Sequence, residues 1–417
     1  MSLKTARLVA ATLGILILSV SAYAQDQDVI RVTAGAGFER HDNIFRIDKG
    51  VDPTAGYGKS ARSDTILRGD LGILFDRELS LQRFRAGLNL QPSKYQNYSR
   101  FDNLGYTGEL NWDWEVTGPF SGRVGVLFSR GLMGFNQILV RSGAVTSAVD
   151  KNELSRVNPY FTARLRITPS WSLVCTVDQL KVSNSATAYL PGNFTTNGIE
   201  GGLRFAPGTG TELTFVGRSS RGKYDYLQLT DFLGQNLATG VDNSFKQTEL
   251  ITRLRVRPSE DTLIGGSIGY TQRKYDSFNQ RDFGGLTSEL NLDWRPSGGF
   301  FMNAALDRSI GLPGVFTSNY IDITQLRLAP RLVLTGKTSL TGLVQYAIWN
   351  YKGDPGIVNS PGLVRKDNLF TVQAGVLYDY SRAISFTADL RRESRSTNLP
   401  GADFVNNVLI GGIRGQF

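Results

Sequence analysis

The chain has 417 residues, with 46 Lys and Arg against 37 Asp and Glu and a formal net charge of +9. Its mean hydropathy of −0.18 argues against a polytopic helical membrane protein, which needs repeated apolar runs of about 20 residues. The single Cys excludes an internal disulfide framework. Together with a single His it leaves little material for a metal site, so we expect neither a metal nor a cofactor.

The N-terminus has the pattern of an export signal. Lys4 and Arg7 precede the apolar stretch Leu8–Val20, and Ala22-Tyr23-Ala24 is a small-residue cleavage site. A transmembrane anchor is the alternative, but the apolar stretch is too short to span a bilayer. The pattern predicts a signal peptide over residues 1–24, followed by one exported domain over residues 25–417.

Beyond the signal peptide, apolar residues alternate with polar ones at a period of two, over stretches of roughly ten to fourteen residues. In Glu249–Arg257 (ELITRLRVR), one face holds Leu250, Thr252, Leu254 and Val256, and the other holds Glu249, Arg253, Arg255 and Arg257. Phe161–Ile167 and Gly108–Val116 repeat the pattern. These segments are predicted to be strands with one apolar and one charged face.

Short turns alternate with long polar connections between the predicted strands. The predicted turns are Asp76–Ser80, Thr117–Phe120, Thr168–Trp171, Pro207–Gly210, Ser259–Thr262, Ser297–Gly299, Thr335–Thr338 and Ser381–Ala383. The long connections are His41–Arg62, Gln137–Asp150, Asp225–Asn243 and Lys352–Lys366. Tight turns at one end and long loops at the other are typical of an outer-membrane barrel.

We therefore predict an all-β fold, a single transmembrane antiparallel outer-membrane β-barrel of about 18 strands, the last being Phe404–Phe417. A barrel of 16 strands is the alternative if two weak segments, near Ser172–Val182 and Phe300–Ile310, do not form strands. An even number places both termini on the periplasmic side. A soluble β-sandwich would pack both inner faces into a dry core, and the many charges argue against that fold.

Aromatic residues fall on the outward faces near the short turns. Amphipathic rings prefer the level of the lipid headgroups, so they are predicted to form an interfacial girdle rather than a ligand site. The predicted interface aromatics are Trp114, Trp294, Tyr378, Tyr380 and the terminal Phe417.

The inward faces are predicted to carry most of the charges. The arginines assigned to the lumen wall of strands six to ten are Arg164, Arg166, Arg204, Arg218, Arg253, Arg255 and Arg257, and the acids on those strands are Asp178, Glu200, Glu212 and Glu249. The acids assigned to other strands are Glu109, Asp113, Glu115, Glu289, Asp293 and Asp307. Two interpretations stay open. Charged rings can select the solute of a pore, and oppositely charged neighbours can pair across strands for stability.

Two enzyme-like motifs are incomplete. Gly265–Gly269 fits G-x-S-x-G, but it lies inside a strand pattern and not at the strand-to-helix turn that a nucleophile needs. Gly336–Thr338 resembles the end of a phosphate loop, but Arg331 stands where the pattern requires Gly.

The lone Cys and the lone His are weak candidates for chemistry. Cys175 alternates with aliphatic residues, so we expect a buried or lipid-facing apolar residue. His41, followed by Asp42, is the candidate base of a barrel enzyme that acts on lipid. We expect His41 to lie at the surface of a loop mouth, and we predict no catalytic residues.

The segment Gly37–Arg46 (GFERHDNIFR) is an aromatic strand end followed by D-N-I-F-R. With Gln82–Asn97 and Leu110–Trp114, it resembles outer-membrane barrels encoded with exopolysaccharide export genes, and more closely the exopolysaccharide-operon family EpsL. The resemblance covers the exported chain in strand rhythm and these segments in residues. It implies a passive outer-membrane barrel linked to polysaccharide synthesis or secretion.

We therefore expect a non-enzymatic outer-membrane pore in exopolysaccharide biosynthesis or export, a passive conduit for a polysaccharide or an anionic solute. The alternatives are a general diffusion porin, a structural or adhesive barrel and a lipid-modifying barrel enzyme. The expected partners are outer-membrane lipids, the barrel-assembly machinery through the C-terminal strand, polysaccharide and periplasmic export components. Nucleic acid is not an expected partner.

Overall fold

The computed structural model describes residues 29–135, 140–141, 144–145, 151–208, 210–226, 228–230, 236–239, 242–311, 318–353 and 364–417. The predicted signal peptide, residues 1–24, lies outside the described residues, as do parts of three of the long connections, Gln137–Asp150, Asp225–Asn243 and Lys352–Lys366.

The described residues form one antiparallel sheet of 18 strands, in which each strand pairs with its neighbours in the chain. The strands are β1 (Ile30–His41), β2 (Asp64–Leu79), β3 (Gln82–Tyr95), β4 (Asn103–Thr117), β5 (Phe120–Leu132), β6 (Glu153–Arg166), β7 (Trp171–Asn184), β8 (Phe194–Gly208), β9 (Thr211–Tyr224), β10 (Phe245–Ser259), β11 (Thr262–Tyr275), β12 (Phe283–Ser297), β13 (Phe300–Gly311), β14 (Tyr320–Val333), β15 (Thr338–Lys352), β16 (Lys366–Asp379), β17 (Ile384–Thr397) and β18 (Phe404–Gln416).

The sheet closes on itself because β1 also pairs with β18. The closing register runs from Thr33 opposite Gln416 to His41 opposite Val408. Phe417 extends the seam through two backbone hydrogen bonds with Val32, of 2.8 and 2.9 Å. Closure gives the backbone groups of the first and last strands a partner, which a strand in lipid requires because no water is available there.

The connections contain little regular structure. They include a short α-helix, Thr54–Tyr57, the 3₁₀ segments Ser99–Phe101, Thr187–Gly192 and Asn279–Arg281, and two small hairpins that pair Val140–Arg141 with Ala144–Val145 and Gln228–Thr230 with Asn236–Thr239. Within the described part of the chain, every helix is too short or too polar to cross a membrane.

The prediction of 18 strands is confirmed, and the 16-strand alternative is wrong because both weak segments form full strands, β7 and β13. The turn predicted at Asp76–Ser80 is wrong in position. β2 continues to Leu79, which lies opposite Gln82, and Ser80 begins the turn with a φ of 56°. The pairing with β3, reinforced by a 2.7 Å ion pair between Asp76 and Arg83, keeps this polar segment extended.

The two faces of the wall alternate as predicted. On β10, Leu250 and Leu254 are 67% and 42% exposed on the outer surface, whereas Glu249 and Arg253 form ion pairs on the inner side. The short turns, the first residue of β1 and the last residue of β18 lie at one end of the barrel, and the long connections lie at the other. Because short turns face the periplasm in outer-membrane barrels, the long connections mark the extracellular mouth.

Candidate functional site: the barrel lumen and its extracellular mouth

The central part of the wall formed by β7–β10 holds paired charges. Arg218 forms a two-pronged contact with Asp178, with N–O distances of 2.7 and 2.9 Å, and lies 3.4 Å from Glu249. Arg253 binds Glu200 in the same manner, at 2.7 Å for both contacts. The Arg218 and Asp178 side chains are only 10% and 9% exposed. Bidentate geometry favours a structural role for both pairs. Low exposure strengthens this for Arg218 and Asp178, whereas Arg253 is 31% exposed.

The two bidentate pairs, Arg218 with Asp178 and Arg253 with Glu200, each reach across an intervening strand. Arg218 on β9 contacts Asp178 on β7 over Gly198 of β8, which lies directly opposite Asp178. A Cβ at residue 198 would overlap the Arg218 guanidinium and would lie 3.0 Å from the Asp178 carboxylate. The glycine therefore provides the space in which the ion pair forms.

Charge is less well compensated toward the periplasmic end of the same wall. Arg204 pairs with Glu212 at 2.9 Å, and Arg164 donates to the Ser121 hydroxyl at 2.9 and 3.1 Å. Arg255 lies directly opposite Glu212, but the Glu212 carboxylate accepts its hydrogen bond from Arg204 and not from Arg255.

Two further arginines of this end are exposed. Arg166 is the last residue of β6, and Arg257 lies where the alternation of β10 is interrupted by a register shift between Val256 and Ser259. Among the described residues, Arg166, Arg255 and Arg257 have no ion-pair partner within 4.0 Å. The periplasmic end of this wall therefore carries an excess of positive charge.

The acids predicted for the other strands are on the lumen side and most are engaged locally. Asp113 binds Arg123 with two contacts, one of them 2.8 Å, and Glu109 accepts from Asn111 at 2.9 Å. The remaining contacts are Asn291 to Glu289 at 2.7 Å, Asn303 to Asp293 at 2.7 Å and Ser309 to Asp307 at 3.3 Å. Glu115 lies close enough to Arg164 to interact with it electrostatically.

The connection between β1 and β2, residues 42–63, packs against lumen-facing residues at the extracellular mouth. Its Ile44, Phe45, Ile47, Val51 and Tyr57 are buried. They pack against lumen-facing Ile66 and Tyr95 and against Tyr98, Phe101 and Phe135 of neighbouring connections. Phe45 is 0% exposed, and its ring centroid lies 4.7 Å from that of Tyr98 and 5.2 Å from that of Phe135. Burial raises the pKa of the Tyr57 hydroxyl. The sequence predicted this connection only as a polar loop. Its apolar residues belong to the largest buried apolar cluster of the described residues. We call residues 42–63 the mouth loop.

Polar contacts attach the mouth loop to β17 and β18, on the other side of the seam between β1 and β18. Arg46 binds Glu393 of β17 at 2.8 and 2.9 Å, although the two residues are 347 positions apart in sequence. Asn43 donates from its backbone to Asn406 of β18 at 3.2 Å and from its side chain to the Val405 carbonyl at 2.9 Å. Arg46 has a φ of 53°, a left-handed conformation that costs a non-glycine residue roughly 1–2 kcal/mol. The surrounding contacts must outweigh that cost.

The expectation that His41 lies at the surface is wrong. His41 is the last residue of β1, points to the lumen side and is 1% exposed. Its Nε2 lies 3.2 Å from Glu39 Oε2, and its Nδ1 lies 3.1 Å from Asn406 Nδ2. Because both ring nitrogens have partners, neither is available to accept a proton from a hydroxyl in this arrangement.

The other discounted features lie in ordinary strand positions. Gly265–Gly269 is inside β11, and Cys175 is exposed on the outer face of β7 between Leu173 and Val177. No group of three or more His, Cys, Asp or Glu side chains within the described ranges is placed to hold a metal ion.

The predicted interface aromatics point outward near the short turns. Trp114 packs against Phe120 and Phe161, with ring centroids 4.9 and 6.0 Å apart, and Trp294 packs against Phe300 at 6.3 Å. Tyr378, Tyr380 and Phe417 are exposed on the same rim. Their role as a girdle stays a prediction.

Residues 263–417, from the beginning of β11 to the C-terminus, match a family model described as "Putative beta-barrel porin 2". No curated protein matches the sequence. Among solved structures, OpdK, an outer membrane protein from Pseudomonas aeruginosa, is similar over 93% of this chain and 99% of its own, with 12% identity and a TM-score of 0.44. The siderophore receptor PirA from the same organism is similar over 94% of this chain and 81% of its own, with 12% identity and a TM-score of 0.41.

A closed barrel with an apolar outer surface and a charged lumen is built to span a bilayer. Together with the porin family match over β11–β18, these features define a porin-like β-barrel of the bacterial outer membrane.

Proposed function

We propose that the chain is a passive outer-membrane channel that favours anions, and that its solute is an acidic polysaccharide chain or a smaller anion of the same chemistry. The observation that carries the proposal is the excess of arginine at the periplasmic end of β6–β10, where Arg166, Arg255 and Arg257 are exposed. A barrel of 16–18 strands leaves an aqueous interior, so these side chains stay hydrated and accessible to solute.

The arrangement of the charges suits passage better than retention. A conducting site must attract its ion strongly enough for entry and weakly enough for release, which several spaced and hydrated charges achieve. The bidentate pairs of Arg218 and Arg253 nearer the middle of the barrel contribute little net field, because each guanidinium is matched by a carboxylate. The proposed preference for anions therefore depends on the periplasmic end.

The polysaccharide is the finer part of the proposal, and it is supported by the resemblance of Gly37–Arg46 to the exopolysaccharide-operon barrels. An extended acidic sugar chain presents one carboxylate at a time to successive arginines. A general diffusion porin is the second candidate, supported by the family match over residues 263–417.

The channel is tested by reversal potentials of the purified barrel in planar bilayers under a KCl gradient. The triple variant Arg166→Gln, Arg255→Gln, Arg257→Gln should lose most of the wild-type preference for Cl⁻. The double variant Glu200→Gln, Arg253→Gln is the matched control, because it removes one charge of each sign and should keep the preference. A barrel without conductance, or a triple variant with unchanged selectivity, contradicts the proposed channel.

The solute is tested separately in a deletion strain. Secretion of an acidic polymer should fall in the deletion, return with the wild-type chain and return only in part with the triple variant. Normal secretion by the deletion strain, combined with an anion-selective conductance, would favour the general diffusion porin.

A further inference from the structure

Three cations lie side by side on the lipid-facing surface near the extracellular end of β9–β11. Arg221 is directly opposite Lys246, and Lys246 is directly opposite Lys274. The alternate residues Phe245, Arg273 and Tyr275 are buried on the lumen side, whereas the three cations are exposed. We call Arg221, Lys246 and Lys274 the outer basic row.

Two more cations extend the row along the same surface. Lys223 lies two residues beyond Arg221 on β9, and Lys181 lies on β7, with Thr195 of β8 opposite both lysines. Both side chains are exposed and have the outward orientation of their strands.

Acidic residues compensate only part of this charge. Asp276 contacts Arg221 at 2.8 Å, with side chains that are 36% and 71% exposed. Asp242, in the connection before β10, lies close enough to Lys223 and Arg221 to interact electrostatically. Like charges directly opposite each other destabilise a pair of strands. A row of three cations therefore lowers the stability of the barrel unless a further anion binds to the row.

The outward cations of β13–β15 are arranged differently. Arg308 and Lys352 lie on either side of Asp322, at 3.0 and 3.9 Å. Basic residues near the extracellular end are therefore not all alike: Arg308 and Lys352 face an acid, whereas in the outer basic row cations face cations.

We propose that the outer basic row binds the phosphate groups of a phosphorylated lipid in the outer leaflet of the outer membrane. The cations lie at the end of the strands where headgroups are located. On the same strands, exposed apolar side chains follow four to six residues nearer the periplasmic end, after the polar outward positions Ser219, Thr248 and Gln272. The apolar side chains are Phe215, Leu250, Ile268 and Tyr270, which would contact the acyl chains. A row of cations above an apolar surface matches an anionic headgroup attached to hydrocarbon, and ammonium and guanidinium groups donate charge-assisted hydrogen bonds to phosphate oxygens.

The test uses the purified full barrel in detergent with two probes, a bis-phosphorylated lipid A and the same lipid after dephosphorylation. Native mass spectrometry gives the apparent affinity for each. The wild type should bind the phosphorylated form at least about tenfold more tightly. The variant Lys246→Gln, Lys274→Gln should lose most of that difference, and the control Arg308→Gln, Lys352→Gln should keep it.

The variants also separate binding from folding. Without lipid, Lys246→Gln, Lys274→Gln should melt at the same temperature as the wild type or higher, because like-charge repulsion is relieved. Equal affinity of the wild type for the two lipids, or an unchanged preference in the Lys246→Gln, Lys274→Gln variant, overturns the proposal. Complete displacement of the lipid by an equal concentration of inorganic pyrophosphate would assign the row to free phosphate and overturn the lipid source.

Discussion

Replacing Phe45 by Ala should release the mouth loop without unfolding the barrel. Phe45 is fully buried, and its ring contacts those of Tyr57, Tyr98, Phe101 and Phe135. Truncating a buried Phe to Ala costs about 3–5 kcal/mol, through lost burial and the cavity that remains. Because the ring packs within the cluster and not between strands, the substitution should destabilise the docked state of the loop and leave the stability of the barrel unchanged. Since each 1.4 kcal/mol is a factor of ten, the undocked population should rise by about two to four orders of magnitude.

Amide hydrogen exchange measures this population directly, because local opening exposes the backbone of the loop while the strands stay protected. Exchange over residues 44–57 should accelerate in the F45A variant, and exchange in β10 should not change. Single-channel conductance of the same protein should increase, because the loop would no longer be held against lumen-facing Ile66 and Tyr95 at the mouth.

The matched control is Phe370→Ala on β16, which removes the same atoms from a side chain exposed on the lipid face. It should leave exchange in residues 44–57 unchanged. Equal acceleration in both variants, or none in F45A, would refute the inference that the aromatic cluster holds the loop in the mouth.

Three further predictions concern the wall. Leu254→Arg should lower the free energy of unfolding in vesicles by roughly 2 kcal/mol, whereas Arg255→Leu should not. An Arg on the outer face costs roughly 2–4 kcal/mol at mid-bilayer and less toward the interfaces, and Leu254 lies in the periplasmic half of β10. Equal effects of the two substitutions in urea titrations would mean that the register is off by one residue. Gly198→Val should destabilise the barrel by about 1–3 kcal/mol through overpacking, and Gly265→Val, where a Cβ meets nothing within 4 Å, should cost less in the same titration. The anion preference should weaken between 0.1 M and 1 M KCl, because the Debye length falls from about 10 to about 3 Å; a preference that does not depend on salt would indicate a tight binding site instead of a diffuse field.

The sequence was sufficient to predict the wall because each strand encodes its own orientation. Leu254 and Arg253 are adjacent, and period-two alternation is enough to place one in lipid and the other in the lumen. Strand count and end assignment follow from the turns in the same local manner. The misplaced turn at Asp76–Ser80 shows the limit of this approach, since a polar run of residues stayed in a strand once ion pairs with β3 stabilised it.

The mouth loop could not be predicted because its contacts are distant in sequence. Ile44, Phe45 and Ile47 appear in the sequence as isolated apolar residues in a polar connection, and their partners lie in two other connections and on β2 and β3. Arg46 and Glu393 become neighbours only when β1 closes on β18. The same closure buries His41, which from its position at a strand end was expected to be exposed.

The location of the excess positive charge on the lumen wall could not be predicted from the sequence. The sequence shows seven arginines against four acids on strands six to ten, but not their heights or partners. In the structure, acids match Arg204, Arg218 and Arg253, and the excess lies near the periplasmic turns, at the end opposite the mouth loop. Selectivity and opening should therefore be separable. Removing Arg166, Arg255 and Arg257 should change which ion passes while leaving the open area nearly constant. Phe45→Ala should change the size of the current, while the permeability ratio of anions to cations stays close to the wild-type value.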